Sequence, residues 1–244
     1  MANSINIGRL LPQSIYYFYA WSKLAAQADE KAVFSVPSGN FGNIMGGLIA
    51  KKMGLPVKQF IISTNRNDEV PEYLRTGKYN SINPSRKCIS SAMNVGHPSN
   101  LARIIAMYGG MMDETGTIVN EPDLKSMRKD LFGVSVSDDE TRVTIAEVFK
   151  KYDILLEPHG AVAWHAIRDY LNSVKHPLSS KQLFISFETA HPAKFPEELR
   201  HIINIDPLLP GSLRGIAEKE ENYLSAGTDY EGIKEIIINR SKTE

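Results

Sequence analysis

The sequence predicts an α/β protein with a parallel sheet flanked by helices, and two observations carry that prediction. Short, almost wholly apolar runs at 31–37 and 58–64 are typical of strands that are covered on both faces. Between them lie a glycine-rich turn and a helical pattern that begins at Asn43 and stops at Gly54, before Pro56. A strand, a helix and a second strand in this order form a βαβ unit, whose right-handed crossover implies parallel strands.

The remaining elements follow from apolar spacing and helix-capping signals. Apolar residues recur near helical spacing over 9–27, which predicts one deeply packed helix with Pro12 in an early turn. No topology is predicted for 65–135. Ser137, with Glu140 three residues later, matches a capping box and opens a helix. The other predicted elements are a helix at 100–108, a short strand at 154–156, a helix at 161–171 and a strand at 183–187.

Composition limits the classes of function. The chain has 244 residues, of which 42% are hydrophobic and 23% charged, so it can bury a sizeable core. Lysine plus arginine equals aspartate plus glutamate at 28 each, so no overall field recruits nucleic acid or an anionic membrane, and any anion site must be local. The single cysteine, Cys88, and the lack of a signal peptide or a membrane-length apolar run lead us to expect a cytoplasmic protein. The 6 histidines show no metal-ligand spacing, so no metal is expected.

The strongest chemical signal is the turn VPSGNFGN at 36–43, between the first predicted strand and the helix that follows. Successive backbone N–H groups in such a turn can converge on an anion, and the positive end of the helix adds about half an elementary charge. Gly39 and Gly42 permit a close approach that a Cβ would block. The turn has neither the lysine of a P-loop nor the glycine spacing of a dinucleotide site, which favours a smaller phosphate ester. An ordinary tight turn would have the same composition, and this alternative stays open here.

Four stretches in matching order resemble motifs of the threonine synthases, which are pyridoxal-phosphate (PLP) enzymes of the tryptophan-synthase-like fold. They are NSINIGR at 3–9, SVPSGNFGN at 35–43, EPHGAVAW at 157–164 and ETAHPAKF at 188–195, and the similarity runs from about residue 3 to about residue 203. The resemblance implies an incomplete type II PLP fold. Residues 1–244 would be the C-terminal, cofactor-phosphate-binding part of the enzyme, with 211–244 as a C-terminal tail.

The resemblance also implies an activity and a set of site residues. The reaction would convert O-phospho-L-homoserine and water to L-threonine and phosphate, with PLP as the electron sink. The PLP phosphate would be held by Gly39, Asn40, Phe41, Gly42 and Asn43, the pyridine nitrogen by Thr189, and the substrate phosphate by Ser4, Asn6 and Arg9. Each role has an alternative: Ser4 and Asn6 as polar strand-end residues, Arg9 as a surface arginine, and Thr189 as the cap of the turn into Pro192. His159 and His191 are expected to be structural.

The chain lacks the lysine that such an enzyme uses to form a Schiff base with PLP. In the family it lies in an SFKD-like motif upstream of every motif present here, and no such motif occurs in this sequence. Lys150 and Lys151 follow Phe149 on an amphipathic helix, where a solvent-facing position explains them better. We therefore expect no catalytic residue in this chain, no activity from the chain alone, and a missing N-terminal segment of the same enzyme as its partner.

Two other functions remain open on the sequence. The chain could be a non-catalytic homologue that binds phosphate or PLP without chemistry. It could also belong to a sister PLP enzyme, such as a serine or threonine dehydratase. Arg9 bears on the second possibility because the substrates of those enzymes carry no phosphate. In each case the ligand is a small molecule, and neither nucleic acid nor a membrane is an expected partner.

Overall fold

The structure, a computed structural model, describes residues 6–173 and 182–240 and confirms the α/β prediction. The helices α1 to α10 span Ile7–Leu10, Ser14–Leu24, Gly42–Lys52, Glu69–Thr76, Leu101–Met107, Leu124–Asp130, Asp138–Tyr152, Pro158–Ser173, Pro196–Ile203 and Tyr230–Arg240. The strands β1 to β6 span Ala32–Pro37, Val57–Thr64, Met111–Met112, Ile118–Asn120, Leu131–Ser135 and Leu183–Ser186. Five 3-10 segments span Leu11–Gln13, Ser91–Met93, Pro192–Lys194, Gly211–Leu213 and Ile216–Glu218.

The main sheet has the order β5-β2-β1-β6, and all its strands are parallel. Phe34 and Phe60 point to one face, where they pack with Tyr17 of α2 and with side chains of α3. Val33 and Ile61 point to the other face, where they pack against α8. Because helices cover both faces, the strands need apolar residues on both, which explains their almost continuous apolar runs. The strands β3 and β4 form a separate antiparallel pair.

The predicted βαβ unit is present as β1, α3 and β2, with ends within two residues of those expected. The helix α3 ends as predicted: Met53 is its C-cap, and Gly54 follows with a φ of +106°. The capping box is also confirmed, because the Ser137 side chain accepts from the Glu140 N–H and the Glu140 side chain accepts from the Ser137 N–H. The local chemistry of caps and turns therefore positions these elements.

The prediction of one deeply packed helix over 9–27 is wrong in two respects. The segment is split into α1, a 3-10 turn that contains Pro12, and α2, because proline cannot supply the N–H that a continuous helix needs. Only Ser14 and Tyr17 of α2 are buried, while Ile15 and Tyr19 are 62% and 63% exposed. No element among the described residues covers the face that carries Ile15 and Tyr19.

The predicted strand at 154–156 is wrong as well. The helix α7 ends at Tyr152, and its C-cap Asp153 takes a left-handed conformation with a φ of 56°. Residues 153–157 link it to α8 without regular secondary structure. Leu156 is buried against Ile145 of α7 and Leu199 of α9, so its apolar character serves helix packing. A short apolar run cannot reveal which kind of element will cover it.

Contacts divide the chain into a compact unit up to Pro207 and a second unit from Leu208 onward. The second unit contains α10, none of whose described residues is buried. In the described ranges, no helix combines the length and apolar character needed to cross a lipid bilayer. The same ranges contain no group of three or more His, Cys, Asp or Glu residues that could hold a metal ion.

Candidate functional site

The site lies where two neighbouring parallel strands end. Strand β1 pairs with β6, and Ser35 lies opposite Ser186. Just past this pair, the Phe187 N–H donates to the Ser35 carbonyl at 3.0 Å. The turn after β1 and the segment Phe187–Glu188–Thr189 after β6 therefore leave the same edge of the sheet, which is the usual place for ligands in open α/β folds. This topology brings Thr189 to the glycine-rich turn.

The backbone amides of the turn are available for an anion. The Ser38 N–H donates to the Ser63 carbonyl at 2.9 Å and so continues the sheet. From Gly39 to Asn43, in contrast, no backbone N–H donates a hydrogen bond to any of the described residues. Phe41, in a left-handed conformation with a φ of 61°, precedes α3, which begins at Gly42. Unused amides thus coincide with the positive end of an 11-residue helix.

Other parts of the turn hold it in place. The Asn43 side chain donates to the Pro37 carbonyl at 2.7 Å and accepts from the Ile44 N–H at 2.9 Å. The Asn43 carbonyl accepts from the buried Tyr17 hydroxyl at 2.7 Å. The Asn40 carbonyl accepts from the Asn100 amide at 2.9 Å. The Asn43 side chain therefore fixes the turn. At this position the backbone N–H remains for a ligand.

Gly39 is required by close packing. A Cβ at this position would lie 2.8 Å from the Ala92 carbonyl oxygen and 3.0 Å from the Met93 Cα. Both contacts are with backbone atoms, which cannot move aside as a flexible side chain would. The glycine therefore lets the turn lie directly against the 3-10 segment Ser91–Met93.

The turn opens into a cleft of about 970 Å³. This volume is at the upper end of the range that is typical of small-molecule sites. The cleft brings together Arg9, Thr189 and the turn at 39–43, all of which the sequence analysis selected. Asn6 does not line the cleft, and its side chain instead caps α1 by accepting from the Gly8 N–H at 2.8 Å. Ser4 lies outside the described residues.

The Thr189 hydroxyl is not used as a cap. The 3-10 turn Pro192–Lys194 is capped by His191, whose Nδ1 accepts from the Ala193 N–H at 3.1 Å. Within residues 6–173 and 182–240, Thr189 makes no hydrogen bond, and its side chain is exposed to the cleft. His191 is structural, as expected, and Thr189 remains available to a ligand.

Glu157 and His159 form a buried pair that the sequence analysis did not select as part of the site. The Glu157 carboxylate is fully buried and caps α8 by accepting from the backbone N–H groups of His159 and Gly160, each at 2.9 Å. Its Oε2 also lies 2.5 Å from His159 Nδ1. On the other side of the ring, His159 Nε2 accepts from the Ala92 N–H at 3.2 Å. The motif EPHG contained both residues, but its spacing alone did not reveal these partners.

Glu188 is a second carboxyl group at the start of α8. It lines the cleft, and its Oε1 accepts from the Glu157 N–H at 2.9 Å. The residue as a whole is exposed, but this carboxyl group turns inward, and its burial raises the pKa of Glu188 to about 7. The hydrogen bond from the Glu157 N–H lowers the pKa in part, and the negative charge of Glu157 raises it further.

Comparisons with known proteins find similarity to threonine synthases. A family model described as "Threonine synthase, C-terminal" matches residues 160–237. Threonine synthase from Haemophilus influenzae is 41% identical over 212 residues, which is 87% of this chain and 45% of that protein.

Solved structures agree with this similarity. The crystal structure of PLP-bound threonine synthase from Brucella melitensis superposes with a TM-score of 0.83 at 31% identity and covers 98% of this chain and 52% of that one. Threonine synthase from Escherichia coli gives a TM-score of 0.79 at 34% identity, with 98% and 51% covered. The chain thus matches these proteins over nearly its whole length and spans about half of theirs.

Proposed function

We propose that this chain, a relative of the threonine synthases along nearly its whole length, is the cofactor-phosphate-binding part of a PLP-dependent threonine synthase. The complete enzyme would convert O-phospho-L-homoserine and water to L-threonine and phosphate. One observation carries the proposal: the unused backbone amides at 39–43 open, at the start of α3, into the same cleft as Arg9 and Thr189.

The cleft suits PLP on three grounds. The amides at 39–43 match the acceptor oxygens of a phosphate, and the start of α3 complements its charge. Gly39, which has no Cβ, lets the turn pack directly against the Ala92 backbone beside the cleft. On the adjacent segment, the Thr189 side chain offers a neutral hydroxyl to a pyridine nitrogen. When bound, PLP supplies the electron sink that stabilises carbanions during the reaction.

The residues of this chain would bind and orient rather than react. The turn at 39–43 would hold the cofactor by its phosphate, and the Thr189 hydroxyl would hydrogen-bond its pyridine nitrogen. Arg9, which also lines the cleft, would bind the phosphate of the substrate, because its planar guanidinium group suits a bidentate contact with an oxyanion. An arginine at this place favours a phosphorylated substrate over the unphosphorylated substrates of a serine or threonine dehydratase.

The chain alone is expected to be inactive because its sequence contains no SFKD-like lysine. We expect PLP to bind reversibly, and borohydride treatment followed by mass spectrometry should find no lysine of this chain that carries the reduced cofactor stoichiometrically. Pyridoxal phosphate mixed with free lysine under the same conditions is the control. A single fully labelled lysine would show that the chain carries its own attachment site.

The reaction itself is best tested in a hybrid protein. The part of the Haemophilus influenzae threonine synthase that precedes its matched region would be fused in frame before this chain. Given O-phospho-L-homoserine and PLP, the hybrid should release L-threonine and phosphate in equal amounts. A hybrid that binds PLP but deaminates serine or threonine instead would support the dehydratase alternative, and one that binds PLP without either reaction would support a non-catalytic role.

A further inference from the structure

We propose that His159, held by Glu157, is a positioning residue for the phosphate-binding turn: it fixes the wall of the cleft against which Gly39 packs. This inference rests on the proposed function, because it concerns the same turn and the same ligand. Three contacts lead from the start of α8 to the turn.

The first contact fixes the protonation pattern of the imidazole. His159 Nε2 faces the Ala92 backbone N–H at 3.2 Å, and a backbone N–H can only donate. Nε2 must therefore be the unprotonated nitrogen. Nδ1 then carries the proton and donates it to Glu157 Oε2 at 2.5 Å. The buried carboxylate thus selects the tautomer whose other nitrogen is an acceptor.

The second contact fixes the orientation of Glu157 itself. Its two oxygens accept from the N–H groups of His159 and Gly160 at the first turn of α8, each at 2.9 Å. The helix α8 spans 16 residues and packs against all four strands of the main sheet. His159 is therefore attached to a helix that packs on the sheet, and the residue is only 2% exposed. Such anchoring is what a group that positions another needs.

The third contact passes the position of His159 on to the turn. The N–H of Ala92 is held by His159, and the carbonyl oxygen of the same residue is the atom nearest to a Cβ built on Gly39, at 2.8 Å. Ala92 and Met93 also line the cleft. If Ala92 loses its partner, the short 3-10 segment Ser91–Met93 can shift, and the amides at 39–43 lose the surface that aligns them. Phosphate affinity should fall as a result.

The test compares three variants of the chain by isothermal titration calorimetry with pyridoxine 5′-phosphate, which has the cofactor's phosphate but no aldehyde. His159→Phe keeps a flat ring of similar size but removes the acceptor, and we expect its affinity to fall about tenfold. His159→Gln places a carbonyl oxygen near the former Nε2 and should restore affinity to within about threefold of the unmodified chain. His201→Phe, an exposed histidine of α9, is the matched control and should change nothing.

The outcomes separate the inference from the proposed function. If the unmodified chain does not bind pyridoxine 5′-phosphate, the proposed function is wrong and the inference is overturned with it. If the unmodified chain binds and His159→Phe binds equally well, only the inference fails. It also fails if His159→Gln is as weak as His159→Phe, because the acceptor would then be irrelevant.

A second measurement uses the unmodified chain, so it does not depend on whether a variant folds. In the ¹⁵N NMR spectrum of the unmodified chain near neutral pH, the His159 imidazole should show a protonated Nδ1 and an unprotonated Nε2. The opposite tautomer would contradict the inference, because it would place a donor against the Ala92 N–H. The other five histidines provide the internal reference for the two chemical-shift classes.

Discussion

Gly39→Ala is expected to lower the affinity of the chain for pyridoxine 5′-phosphate by more than about tenfold. The added Cβ would lie 2.8 Å from the Ala92 carbonyl oxygen and 3.0 Å from the Met93 Cα. Neither backbone atom can yield without moving the 3-10 segment Ser91–Met93, so the turn itself must shift. Since its five amides have to converge on one phosphate, a displacement of a fraction of an ångström weakens several hydrogen bonds together. Calorimetric titration measures the effect.

The control for this substitution is Gly211→Ala, where a Cβ meets no atom within 4 Å. It makes the same chemical change without the steric conflict and should bind the ligand as the unmodified chain does. Circular dichroism of both variants would show whether the fold is retained. Unchanged affinity in Gly39→Ala would mean that the turn does not depend on its packing against Ala92.

Glu69→Gln is expected to stabilise the chain, and the gain should increase with pH. Glu69 is 3% exposed at the start of α4, and neither of its carboxyl oxygens has a hydrogen-bond partner among the described residues. Burial raises the pKa of Glu69 to about 7, with a smaller contribution from the charge of Asp68. Its own backbone N–H and Arg86 offset part of that increase. The ionised side chain therefore destabilises the folded state.

The pH dependence follows from the direction of the shift. Between pH 4.5, the ordinary pKa of a glutamate side chain, and about pH 7, the folded chain holds a proton that the unfolded chain has released. Stability contributed by this group thus decreases as pH rises through that interval and is constant above it. Glu69→Gln removes the titration, so the variant should match the unmodified chain near pH 4 and exceed it by on the order of 2 kcal/mol at pH 8. Urea denaturation at several pH values measures the difference.

Glu72→Gln on the same helix is the matched control, and its expected effect on stability has the opposite sign. Glu72 is exposed and pairs with Arg75, whose hydrogen bond lowers the pKa of the carboxyl group. Removal of its charge should therefore leave stability unchanged or slightly lower at neutral pH. If Glu69→Gln showed the same pH profile as Glu72→Gln, the buried charge would not be the cause.

The sequence predicted best those elements whose ends are set by residues close to them in the chain. The strands β1 and β2 and the helix α3 were located within two residues, because caps, glycines and apolar strands act locally. The error at 154–156 and the exposure of α2 have one common cause. An apolar pattern shows which face of an element tends to be buried. It does not show whether a sheet, a helix or nothing in this chain buries it.

The site, like the fold, could be predicted only in part from the sequence. The turn at 39–43 could be recognised because its chemistry is contained in consecutive residues, and Arg9 and Thr189 followed from the family resemblance. The wall formed by Ala92 and His159 could not be predicted, since these two residues are 67 positions apart and meet only in the folded chain. Asn6 caps a helix, a role that its local sequence would equally have allowed.

The direct test of phosphate binding by the turn is an NMR titration of the ¹⁵N-labelled chain with pyridoxine 5′-phosphate, followed through the backbone amide signals. The structure predicts that the largest downfield shifts occur at residues 39–43, that they saturate together, and that inorganic phosphate reproduces them at higher concentration. If the ligand shifts other amides and leaves those five unchanged, the turn does not bind the phosphate, and the proposed function is wrong.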